Sequence, residues 1–235
     1  MIPLRDDNPS RITPWATYAV FGACLLVYLW QLSLGPRLQG AVYSFGLIPA
    51  VLFGQVGLPP ELELIPPLAS VFTSMFMHGS VLHIASNMLY LWIFADNIED
   101  TLGHARFALF YLLCGVAAAL AQALPDPASQ IPMIGASGAI SGVLGAYLIL
   151  FPRANVLVLV PLGFILTTVR LPAMVVLGLW FALQLVSSAM APPGSGGVAF
   201  GAHIGGFVAG MVLIHLFPRQ PVAARRRTGP RTYRR

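Results

Sequence analysis

Charge is what this sequence has least of. Only 9% of its 235 residues are charged, against 57% hydrophobic. A soluble domain carries about 25% charged residues, so a soluble fold is excluded and the chain reads as a membrane protein. Lysine is missing altogether: all 13 basic residues are arginine, a bias that points to a GC-rich genome. Cysteine is nearly missing. Cys24 and Cys114 both sit in apolar stretches, and no Cys-x-x-Cys occurs, which reads as inert core thiols and no disulfide framework. There is no His-Glu-x-x-His and no evident internal repeat. The first absence argues against a zinc hydrolase; the second, with no charged pair at mid-span, argues against a transporter.

Long apolar runs are what the chain does have. A span needs ~20 apolar residues, and runs at about 15–34, 80–97, 105–124, 137–151, 171–190 and 200–217 fit that need. The expected fold is an all-α polytopic bundle of six transmembrane helices with a short fourth helix. The N-terminal residues 1–14 are polar without a cleavable signal, so the first run reads as a retained span. Residues 35–79 form a long first loop, too apolar for a free linker and too rich in proline for a span. It is expected to lie partly in the membrane interface.

The segment from Asn155 to Arg170 is apolar but short, broken by Pro161 and Gly163 and bracketed by arginines. It reads as interfacial, on the inner side. With six spans and both termini inside, 12 of the 13 arginines fall on the inner side and only Arg37 outside. A seventh span would send the Arg-rich tail, residues 218–235, outward. The positive-inside rule therefore selects six. The tail reads as a disordered, lipid-attracted extension rather than a nucleic-acid binder.

Polar residues inside the spans carry the chemistry. From Ser137 to Phe151 a helix is ~21 Å long, against a hydrocarbon core of ~30 Å. If Phe151 lies at the inner boundary, Ser137 begins its helix ~10 Å below the outer one. The preceding Ile131–Ala136 then descends without helical bonding, which is tolerated only where protein or a water-filled cavity satisfies it. Ser137 would sit at the floor of a submerged pocket, with the unpaired N–H groups of a helix start beside it. Such a place suits an oxyanion. Gly135 and Gly138 permit close backbone approach. Alone, Gly135-Ala136-Ser137-Gly138 fits tight helix packing equally well.

His203 opens the sixth span, and an imidazole in an apolar span is functional by default. Gly206 and Gly210 give its helix a small-residue face for close approach to the glycine-lined fourth span. In the second span His83 and Asn87 are spaced i, i+4 and face the same way. Asn87 pointing inward can donate to an oxyanion. His78 lies outside that helix and serves the loop or the helix start. With the N-terminus inside, spans two, four and six all run inward, which puts His83, Asn87, Ser137 and His203 on one side at similar depth. The acidic residues are expected to lie away from this outer pocket, which weakens a metal site built on His78, His83 and His203.

In these residues the chain resembles the rhomboid family of intramembrane serine proteases, from about residue 15 to 217. The resemblance rests on His78-x4-His83-x3-Asn87, on Gly135-Ala136-Ser137-Gly138, on Ala202-His203 with Gly206-x3-Gly210, and on the stretch Asn97–Gly103. It implies a six-helix domain, with Ser137 as nucleophile and His203 as general base. His83, Asn87 and the Ser137 N–H would form the oxyanion hole, and no metal or cofactor is required. Glu99 would tie the inner ends of helices together. Transmembrane proteins would be the substrates and the lipid bilayer a partner, in a bacterial cytoplasmic membrane with both termini inside. A relative that binds transmembrane helices without cutting them is the rival reading. Two positions depart from the family pattern: Ala69-Ser70 stands where many members have Trp-Arg, and Ser141 where some have a tyrosine stacked on the histidine. What orients His203 is left open.

Overall fold

The computed structural model describes residues 1–162, 165–191 and 197–219. Most of the Arg-rich tail and the middle of the Met190–Phe200 loop lie outside the described residues.

Among the described residues, three helices are long and apolar enough to cross a membrane: α1 (Trp15–Ser33), α6 (His104–Ala123) and α8 (Ala173–Met190). A fourth candidate is a bent pair. Pro67–Phe76, made of α4 (Pro67–Thr73) and a 3-10 turn, meets α5 (Val81–Leu102) at 81°. Two shorter apolar helices complete the bundle, α7 (Ser137–Leu150) and α9 (Phe200–Leu213). At 14 residues, α7 is ~21 Å long, less than a ~30 Å hydrocarbon core.

Short as it is, α7 is the centre of the molecule. Every residue from Gly138 to Tyr147 is buried. Small residues let its backbone meet that of α9. A Cβ at Gly206 would fall on the Gly138 carbonyl oxygen, one at Gly210 on that of Gly142, and one at Gly145 on that of Phe207. The seam is therefore backbone against backbone, the arrangement that glycine spaced at four residues permits.

The first loop folds into structure of its own. It holds a 3-10 turn at Gly35–Arg37, α2 (Leu38–Phe45), α3 (Pro49–Leu52) and α4. Leu47, Val71 and Met75 bury against Ala119 and Ala123 of α6 as a second apolar core. Ile131–Ala136 leans on this loop: Leu47 and Met133 exchange backbone hydrogen bonds at 3.0 and 2.7 Å, and the Gly135 N–H donates to Ser74 O at 2.9 Å. Protein thus satisfies this irregular backbone, as burial in an apolar surround demands.

The fold is mostly, not wholly, helical. β1 (Ile2–Asp6), β2 (Asn155–Leu162) and β3 (Ile165–Pro172) form an antiparallel sheet in the order β1-β2-β3. Ile2 pairs with Leu159 and Asp6 with Val156; Val156 pairs with Leu171 and Val158 with Val169. The reason is a period of two: Val156 and Val158 are fully buried and alternate with half-buried Leu157 and Leu159, the pattern of a strand with one face on the core. The segment read as interfacial from its hydropathy supplies two of the sheet's three strands. Asp6 fastens the sheet to α7 by accepting a hydrogen bond from the Tyr147 hydroxyl. Burial raises the Asp6 carboxyl to about 6.

Candidate active site

The start of α7, the start of α9 and the first turns of α5 converge on a cavity of about 660 Å³. His83, Asn87, Ser137, His203, Tyr90 and Trp180 are among its lining residues. Among the described residues, no group of three or more His, Cys, Asp or Glu is arranged to hold a metal ion. One acidic residue, Asp126 of the α6–α7 loop, does line the cavity, contrary to the expectation that acids lie away from it. A loop residue is invisible to an argument made from polar positions within spans.

Ser137 opens α7, so the first N–H groups of that helix have no intrahelical acceptor. Its Oγ lies 2.8 Å from His203 Nε2. His203 Nδ1 lies 2.8 Å from the Gln184 amide oxygen on α8. That oxygen only accepts, so the imidazole proton sits on Nδ1. Nε2 then presents its lone pair to the Ser137 hydroxyl, the tautomer in which an imidazole can take the hydroxyl proton. Trp180, one turn before Gln184, lies against the same ring with centroids 5.8 Å apart and planes 35° apart. The α9 start is itself held, because the Ala202 N–H donates to Gln122 Oε1 of α6 at 3.1 Å.

Ser141 does not touch His203. Its hydroxyl donates back to the Ser137 carbonyl at 2.6 Å. The site of a stacked tyrosine in some family members thus holds a small residue satisfied by its own helix, and the aromatic face comes from α8 instead.

On the facing wall, Ser80 caps α5 by accepting the His83 N–H at 3.1 Å. The Gly79 N–H donates to His83 Nδ1 at 3.3 Å. A backbone N–H cannot accept, so the ring proton sits on Nε2, which faces Ser137's neighbour Gly135. Gly135 has φ +134°, and a Cβ there would lie 2.8 Å from His83 Nε2. Only glycine fits both the backbone conformation and the space. Asn87 is buried, and its Nδ2 has no hydrogen-bond partner in the protein. Unpaired buried donors are rare. Here one borders the cavity that Ser137 also lines.

His78 stands apart from this group. It is buried beneath His83, ring centroids 5.1 Å apart. Its main chain is clasped by the Gln31 side chain of α1, which accepts the His78 N–H at 2.9 Å and donates to its carbonyl at 3.2 Å. This clasp anchors the first loop without the Trp-Arg pair. Glu99 lies at the far end of α5, fully buried. It accepts from the Ala16 and Thr17 N–H groups at 2.9 and 2.8 Å and from the Thr17 hydroxyl at 2.6 Å, and it pairs with His104 of α6. One carboxylate thereby joins α1, α5 and α6, at a helix N-terminus whose dipole favours it.

Gln184, Trp180, Gln122 and Gln31 were not among the residues singled out from sequence. A signal existed for three of them. An amide in an apolar span demands a partner for the same reason an imidazole does.

Comparison with known proteins agrees with this architecture. The chain matches the family description "Rhomboid domain" over residues 67–220, more than half its length. It is 29% identical over 148 residues to Rhomboid protein 1, mitochondrial, of Saccharomyces cerevisiae, covering 61% of this chain and 38% of that protein. It is 32% identical over 140 residues to Rhomboid protease GluP of Bacillus subtilis, covering 60% of this chain and 24% of that one. With Rhomboid-like protein 11, chloroplastic, of Arabidopsis thaliana the identity is 28% over 162 residues, 65% of this chain and 53% of that protein. This chain is a membrane protein of the rhomboid family. It spans well under two thirds of the length of each of these relatives.

Proposed function

We propose that this protein is an intramembrane serine endopeptidase that hydrolyses peptide bonds in or near transmembrane segments. The observation that carries this reading is the 2.8 Å Ser137–His203 hydrogen bond, at a helix start faced by His83 and the unpaired Asn87 amide. His203 Nε2 takes the Ser137 hydroxyl proton as Oγ bonds to the scissile carbonyl carbon. Negative charge develops on the carbonyl oxygen, met by the Ser137 N–H, His83 Nε2–H and Asn87 Nδ2–H. Each such donor is worth ~10²–10³ in rate. The imidazolium then protonates the leaving amine, the C–N bond breaks, and an acyl-enzyme remains. Water, deprotonated by His203, releases the acid and restores the serine. A helical substrate must unwind first, so helix-breaking residues near the cut favour cleavage.

The protease domain runs from residue 15 to 217, with both termini on the cytoplasmic side of a bacterial inner membrane and the pocket open to the other side. The family includes pseudoproteases as well as proteases. The test is cleavage of a reporter transmembrane protein by wild type, Ser137→Ala and His203→Ala. Wild-type cleavage abolished in both variants is expected. Wild type cutting no better than the variants leaves a helix-binding pseudoprotease.

A further inference from the structure

We propose that Gln184 is the positioning residue of the catalytic base, and that it makes the reactive tautomer of His203 depend on where helix α8 lies. This rests on the protease reading above.

A general base must present an unprotonated nitrogen to the hydroxyl, so the other ring nitrogen must carry the proton and give it to an acceptor. Gln184 Oε1 is that acceptor, at 2.8 Å. An amide has two ends, and the wrong end would donate to Nδ1 and put the proton on Nε2. The Gln184 nitrogen is turned instead toward the Trp180 carbonyl at 3.5 Å, which leaves the oxygen facing the imidazole. Trp180 adds its ring face from the same side of α8, since residues four apart share a helix face. Orientation and tautomer of His203 therefore both come from one turn of α8.

That turn is not anchored by burial. The buried residues of α8 are Ala173, Val176 and Leu177, all in its inner half. From Gly178 outward none is buried. Its outer half meets the bundle through the contacts of Trp180 with Tyr90, His203 and Phe207, of Phe181 with Phe207, and of Gln184 with His203. The helix that holds the base upright is thus held largely by the base and its neighbours. An outward shift of about 1 Å stretches 2.8 Å beyond hydrogen-bond range and frees the imidazole to rotate or change tautomer. When α8 returns against the bundle, Gln184 re-forms the productive arrangement. The position of α8 and the competence of the dyad are one equilibrium.

The test uses the whole chain in lipid vesicles with a transmembrane reporter. Three variants are compared with wild type: Gln184→Met, which keeps the length but loses the acceptor; Gln184→Glu, which keeps an acceptor; and Ser137→Ala as background. Thermal unfolding is followed in parallel. For Gln184→Met we expect kcat to fall roughly 10²-fold with KM within about twofold. Gln184→Glu should recover most of that loss, with unfolding temperatures unchanged. If Gln184 is only interhelical glue, both variants lower stability and KM rises together with any loss of kcat, which overturns the proposal. Wild-type kcat in Gln184→Met overturns it as well while leaving the protease reading intact. Wild type indistinguishable from Ser137→Ala overturns both.

Discussion

His203 stands between two regions built in opposite ways. On one side, α7 and α9 meet backbone to backbone, with Gly206 and Gly210 against the carbonyls of Gly138 and Gly142. On the other, the outer half of α8 buries no residue. The Nε2 of His203 faces the first region and its Nδ1 the second. Ser137 and His203 are thus carried on a seam that cannot slide without backbone collision. Gln184 and Trp180, which we propose orient the imidazole, are carried on a helix whose outer half has no such constraint. On the protease reading proposed above, such a division has a reason: a transmembrane substrate needs a wall that moves, while reacting atoms need sub-ångström placement.

The contrast can be broken most severely at the seam. Gly210→Leu should destabilise the bundle by ~3 kcal/mol or more through overpacking against backbone that has no free rotamer. Leu183→Ala on α8, where Leu183 is 61% exposed, should stay within about 0.5 kcal/mol. Thermal unfolding in detergent measures both. Equal effects would mean that the two regions are equally tight.

A smaller effect is expected at the inner end of α7. Tyr147 donates to Asp6, which fastens β1 to the bundle. Burial raises the Asp6 carboxyl from 3.8 to about 6, so the folded state favours the protonated acid. Its contribution is complete below about pH 3.8 and is lost as pH rises through about 6, worth ~1 kcal/mol once partial exposure is allowed for. Protection of the β1 amides, corrected for the intrinsic exchange rate at each pH, should fall across that window in wild type and stay level in Asp6→Asn.

Much of this was legible in the sequence because hydropathy and helical spacing are local. The apolar helices begin and end within a few residues of their expected positions, α7 included. The nearness of Ser137 to His203 followed from glycines spaced four apart on both helices. Three features were not legible. The sheet was missed because Val156, Val158 and Val160 belong to a run apolar on both faces, where a period of two is hidden. The loop between α1 and α5 gives no long periodic segment, yet Leu47 and Met75 make a core whose partners lie on α6. Gln184 was passed over because an amide draws less notice than an imidazole, although lipid penalises both when unpaired.

The proposed mechanism requires that His203 activate Ser137. A serine-reactive fluorophosphonate probe reports this without any knowledge of the natural substrate. The rate of covalent labelling would be followed in lipid vesicles for wild type, Ser137→Ala and His203→Ala. Rapid labelling of wild type, none of Ser137→Ala and a rate lower by orders of magnitude in His203→Ala is the predicted result. Labelling that survives in Ser137→Ala, or that is as fast without His203, would contradict it.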